Sequence, residues 1–94
     1  MASTKQFKDE ILAINENLSA RPMMGEFLIY YRGKLIGGLY DNRFLLKKAK
    51  GLTDLIKEPI YQTPYPNAKE MVLVTSFENR EFLTQVFEML YNNL

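Results

Sequence analysis

Phe7, Ile11, Ile14 and Leu18 recur at intervals of four, three and four, the spacing of one apolar stripe on a helix. Ser3 followed by Gln6 fits a capping box ahead of that stripe, and Pro22 with Gly25 closes it. The pattern predicts a helix over residues 4–19. From Glu26 the helical period is lost, and GEFLIYYRGKLIGGLYDNRFLLKK is apolar at almost every position apart from two turn-like breaks, YRGK and YDNR. Gly33 and Asn42 tolerate positive φ, so both breaks read as two-residue hairpin loops. Loops of that length fix the pairing of a three-stranded meander: Tyr31 opposite Lys34, Ile29 opposite Ile36, Tyr40 opposite Arg43 and Gly38 opposite Leu45.

With that register the two faces separate. One carries Leu28, Tyr30, Leu35, Leu39, Phe44 and Leu46, with polar groups only at the edges, and is the expected core. The other mixes Phe27, Ile29, Tyr31, Ile36, Tyr40 and Leu45 with Lys34, Arg43 and Lys47, the blend of apolar and basic groups found at interfaces and ligand surfaces. That face is covered either by the rest of the chain or by a partner. Gly37 and Gly38 admit close neighbours or mark a bulge.

Beyond Lys48, Leu52, Leu55 and Ile56 are spaced for a short helix ending before Pro59. The prolines of PIYQTPYPNAKEMVLVTSF confine strand to residues 60–63 and 71–75, with YPNAK as the turn between them. Last, Phe82, Val86, Phe87, Leu90, Tyr91 and Leu94 form a wide helical face capped by Ser76 or Asn79. The order is α-β-β-β-α-β-β-α, an α+β domain with an antiparallel sheet and helices on one side.

At 94 residues, 47% hydrophobic and 24% charged, the chain has the composition of one ordinary globular domain. It holds no cysteine and no histidine, which removes disulfides, the usual zinc sites, thiol nucleophiles and a near-neutral imidazole base. A formal net charge of +1 gives no overall field toward nucleic acid or anionic membrane. The N-terminus, MASTKQFKDE, has no apolar signal stretch, and no apolar run is long enough for a membrane span, which places the expected location in the cytoplasm.

The candidate chemistry is sparse. Asp9 with Glu10 and Glu78 with Glu81 lie on polar helix faces and read as solvated surface. Asp41 belongs to a tight turn, and Ser3, Ser19 and Ser76 sit at helix ends, where capping accounts for them. The glycines beside basic residues in GLYDNR and RGK lack the spacing of a phosphate loop. Tyr31, Lys34, Tyr40, Arg43 and Lys47 could stack bases and pair phosphates, but basic residues on a sheet also keep its edge soluble. Direct nucleic-acid binding is therefore disfavoured. The methionines read mostly as core filling.

The stretch MMGEFLIYYRGKLIGGLYDNRFLLKK resembles the Met-Phe-Gly-(Glu/Gly)-Tyr-Gly-Ile-Tyr core and following Gly-Lys hairpin of the N-terminal domain of the TfoX (Sxy) family of bacterial competence regulators. PYPNAKEM is similar to that family's Tyr-Pro-Gly-Ala-Lys-Pro signature, with Asn67 in place of the common Gly and Glu70 in place of Pro. The resemblance runs over nearly the whole chain, residues 1–94. It implies a secretion-chaperone-like α+β sandwich, no cofactor, and transcriptional control through protein partners. Full-length regulators continue into a second helical domain, whereas this chain ends at Leu94, so a single-domain form is expected. Asn67, standing for Gly, should adopt positive φ.

Together these readings lead to a non-enzymatic interaction domain related to competence regulation, with a protein partner of unknown identity. The alternatives are a small-ligand-binding protein or enzyme using the basic-aromatic face, and a nucleic-acid-binding accessory. Because the helices are assigned to the other face, a homodimer is expected through Phe27, Ile29, Tyr31, Ile36, Tyr40 and Leu45, with Lys34, Arg43 and Lys47 at its rim.

Overall fold

Thr4, rather than Ser3, caps the first helix: its Oγ1 accepts from the Phe7 amide at 3.1 Å, and α1 runs Lys5–Leu12. Ser3 donates instead to Glu26 Oε1 at 2.7 Å and accepts from the Asn42 amide, tying the helix entry to the sheet. The structure, a computed structural model, describes residues 2–94. α1 stops well short of residue 19, closing with the Ala13 amide on Asp9 O and the Ile14 amide on Ile11 O. Leu18 then opens a strand, β1 (Leu18–Met23), that the apolar spacing had merged with the helix. Pro22 is tolerated there because β1 is an edge strand and its missing N–H leaves no interior ladder bond unmade.

The remaining elements are β2 (Glu26–Tyr31), β3 (Lys34–Tyr40), β4 (Arg43–Leu46), α2 (Leu52–Leu55), β5 (Tyr61–Gln62), β6 (Met71–Leu73) and α3 (Arg80–Asn93). The strands form one six-stranded antiparallel sheet in the order β1-β2-β3-β4-β6-β5. The α+β class and the expected order hold, with β1 added ahead of the meander. Three hairpin tips have positive φ at both central residues: Met24 and Gly25 (49° and 86°), Arg32 and Gly33 (50° and 82°), Asp41 and Asn42 (54° and 56°). This is the mirror-image turn whose twist matches that of paired strands.

The register departs from expectation at one point. Tyr31 pairs with Lys34, Tyr40 with Arg43 and Gly38 with Leu45, but Ile29 pairs with Gly37, because β3 carries an extra residue against Ile29 and Tyr30. A Cβ on Gly37 would lie 2.1 Å from the Leu45 carbonyl oxygen, so this close approach of β3 to β4 requires glycine. The bulge inverts the alternation along β3, and Ile36 and Leu39 end on the same face.

That face is the core. Ile29, Tyr31, Ile36, Leu39, Phe44, Leu46 and Val72 are buried in one cluster with Ile11 of α1, Leu52 of α2 and Leu83, Val86, Phe87 and Leu90 of α3. Each such apolar side chain contributes about 1.5–3 kcal/mol in transfer from water. The helices lie on one side of the sheet, as expected, but the expected core face is split: Leu39, Phe44 and Leu46 are in this core, whereas Leu28, Tyr30 and Leu35 lie outside it on the other side and are only half-buried. Asn79 caps α3 by accepting from the Phe82 amide at 3.0 Å.

Candidate functional site

The nine residues expected to share a partner face are divided between the two sides of the sheet. Phe27, Ile29, Tyr31 and Ile36 lie under the helices, and the expected dimer surface is filled by the chain itself. The Tyr31 ring packs on Phe87 and its hydroxyl donates to Glu88 Oε2, while the Lys8 ammonium stands 5.6 Å over the Phe27 ring. Lys34 is not a rim charge. Its Nζ donates to the main-chain oxygens of Tyr91 and Leu94, both at 2.8 Å, closing the C-terminal end of α3 where a cation also meets the helix dipole favourably.

Tyr40, Arg43, Leu45 and Lys47 lie on the other side. Arg43 is a clamp rather than a free cation: Nη1 donates to Gln62 Oε1 at 2.9 Å and Thr63 O at 3.2 Å, and Nη2 to Pro64 O at 3.3 Å. It thereby holds the segment after β5 against the open face. Asn67 turns that segment back with φ 71°, as expected for a residue in glycine's place. Tyr40 folds its ring back over Gly38, where an added Cβ would come within 2.6 Å of it, and Leu45 beside it is fully buried. Tyr65 meets Tyr40 edge-on, with ring centroids 6.3 Å apart.

The pinned loop and the helix-free face enclose two shallow grooves that meet at Tyr40, Pro64 and Tyr65. The larger, 710 Å³, has Leu28, Leu35, Tyr40 and Met71 in its lining and Lys47, Lys48, Lys69 and Glu70 around it. The smaller, 630 Å³, is lined by Met23, Met24, Tyr65 and Pro66 with Glu26 and Asp41. Met24 is 98% exposed and Tyr65 58%. Lys48 reaches Glu70 at 3.3 Å, an exposed pair worth about 0–1 kcal/mol, while Lys47 and Lys69 form no ion pair among the described residues.

Burial raises the pKa of the Tyr40 phenol, with Tyr65 and Glu26 adding to the effect. Burial likewise raises that of Tyr31, reinforced by its hydrogen bond to Glu88. Both hydroxyls stay protonated at neutral pH. The grooves hold no serine, histidine or cysteine, and among the described residues no three carboxylate, His or Cys side chains converge as metal ligands. What this face offers is apolar contact between a basic and an acidic end. Of the residues expected at a site, Tyr40 and Lys47 line the larger groove; Leu28, Leu35, Tyr65, Lys69 and Met71 join them without having been singled out for it. Leu28 and Leu35 share a face by simple alternation, and no signal in the sequence said that the helices leave that face open.

No protein-family model matches the chain, and no solved structure matches it. A stretch of 48 residues, 51% of the chain, is 40% identical to an uncharacterized 12.7 kDa protein in the trpE 5' region of Spirochaeta aurantia. The match spans 42% of that protein's length, less than half of it.

Proposed function

We propose that this chain is a non-enzymatic protein-interaction domain that works through the helix-free face of its sheet. The observation that carries this reading is the groove floor of Leu28, Leu35, Tyr40 and Met71, left outside the core and ringed by lysines. Apolar residues flanked by charges on an open sheet face suit association with another polypeptide. The motif resemblance supports an accessory role in transcriptional regulation related to DNA-uptake competence, in the bacterial cytoplasm and with no cofactor. The absence of histidine and cysteine from the chain supports a non-catalytic role.

Nucleic-acid binding is a weaker reading, because Lys34 and Arg43 are occupied by main-chain oxygens and cannot also hold phosphates without releasing them. The test is Leu35→Asp, which places a carboxylate in the groove and leaves the helix-side core untouched. Affinity capture from the native cell at physiological salt should lose specific partners relative to the native chain, while circular dichroism stays unchanged. Equal capture by a folded Leu35→Asp variant would refute the assignment of the face.

A further inference from the structure

We propose that the polypeptide seated on the open face is a second copy of this chain, related by a two-fold axis lying between the two sheets and running across their strands. The proposal deepens the reading of this face as an interaction surface and depends on it. Its starting point is a polarity of charge along the strands. Asp41 lies in the β3–β4 turn and Lys47 follows the far end of β4, about 17–20 Å away at 3.3 Å per residue. Lys69 shares the Lys47 end, because the Leu46–Val72 pairing brings the start of β6 there. Glu26 shares the Asp41 end, its carboxylate accepting from the Asp41 amide at 3.1 and 3.0 Å.

One end of the face therefore presents three ammonium groups against the single carboxylate of Glu70. The other presents the carboxylate of Asp41 beside that of Glu26, which is held by Ser3 and the Asp41 amide, and the guanidinium of Arg43, which is held by three oxygens of residues 62–64. Two copies packed face to face admit two kinds of in-plane two-fold axis. An axis along the strands sets lysines against lysines. An axis across the strands sets the lysines of each copy against the carboxylates of the other, twice by symmetry, and brings the shared Tyr40 and Tyr65 region to the centre. Apolar groups then occupy the middle and charges the rim, the anatomy of a specific interface.

Met24 gives a second, independent reason. It is 98% exposed on a left-handed turn at φ 49°, an unfavourable place for a large apolar side chain in a free monomer. It borders the groove at the acidic end, where a partner would cover it.

A charge swap tests the arrangement, using the full chain and sedimentation equilibrium across the micromolar range, with circular dichroism to verify folding. The native chain should dimerise. Lys47→Glu/Lys69→Glu and Asp41→Lys should each weaken self-association by at least about tenfold, since each sets like charges together at both ends. Mixed in equal amounts, the two variants should recover a dimer, because both contacts again join opposite charges. A monomeric native chain, a dimer indifferent to both changes, or a mixture that stays monomeric would each overturn the proposal. The two readings fail differently. If the native chain is monomeric but Leu35→Asp still loses its partners, only the second copy is wrong. If Leu35→Asp alters neither association nor capture, the face itself is wrong.

Discussion

Gly37→Ala should be among the most damaging single-methyl changes available in this chain, and the reason is local. The new Cβ would meet the Leu45 carbonyl oxygen at 2.1 Å and Leu46 Cα at 3.0 Å. Both are backbone atoms in the paired strand, so relief requires β3 and β4 to separate by about 1 Å, enough to break ladder bonds that form near 2.9 Å. Leaving two buried main-chain groups unpaired costs about 1–3 kcal/mol each, which sets a floor of about 2 kcal/mol. For a domain of this size that lowers Tm by about 8 °C or more. Gly38→Ala is the matched control: its Cβ meets the Tyr40 ring at 2.6 Å, and a side chain can swing aside where a strand cannot. It should cost about 1 kcal/mol and displace Tyr40 from its place over Gly38. Thermal and urea unfolding of the two variants measure the contrast. A Gly37→Ala protein within about 1 kcal/mol of native, or less damaged than Gly38→Ala, would mean that the bulge does not hold the sheet as described.

Two further outcomes follow from the same geometry. Asn67→Gly should be neutral or gain a few tenths of a kcal/mol in urea unfolding, because φ 71° already suits glycine and its greater unfolded entropy offsets part of the relief; a loss above about 1 kcal/mol would show that the Asn side chain itself is required. The Tyr31 and Tyr40 phenols, raised above the ordinary 10.0 by burial, keep their protons in the native state after the unfolded chain has lost its own, so stability should fall as pH climbs past 10. Urea midpoints from pH 8 to pH 11 should drop less steeply for Tyr31→Phe/Tyr40→Phe than for the native chain, and equal slopes would refute the attribution.

The turns, the short α2, α3 with its Asn79 cap and the α+β order were legible in the sequence because each depends on local residue preference. β1 was not, since Leu18 completes a helical stripe as readily as it opens a strand, and Pro22 argues against strand unless its place at the sheet edge is known. The faces were legible only in part. Alternation assigns sides correctly within each strand of regular pairing, but one bulge residue at Ile36 reverses the assignment beyond it, so that Leu39 joined Ile29 and Tyr31 while Tyr40 parted from them. Which face receives the helices was a separate unknown, because both were apolar enough. The roles of Lys34 and Arg43 were beyond reach for a different reason: their oxygen partners lie 57 and 60 residues away for Lys34 and 19 to 21 for Arg43. A cation that ends a distant helix looks, in sequence, like any cation on a sheet.

The tie between the β2–β3 hairpin and α3 bears on how the protein is made. Tyr31 and Lys34 find their partners in Glu88, Tyr91 and Leu94, so the helix-facing side of the meander is covered only in part, by α1 and α2, until α3 has left the ribosome. At synthesis rates of about 5–20 residues per second, that is a delay of seconds during which part of the surface of Ile29, Ile36 and Phe44 faces solvent or a chaperone. Stalling translation between Leu46 and Arg80 should therefore yield a nascent chain that recruits holdases and resists compaction. Release of the final helix, by contrast, should complete the sheet's cover in one cooperative step.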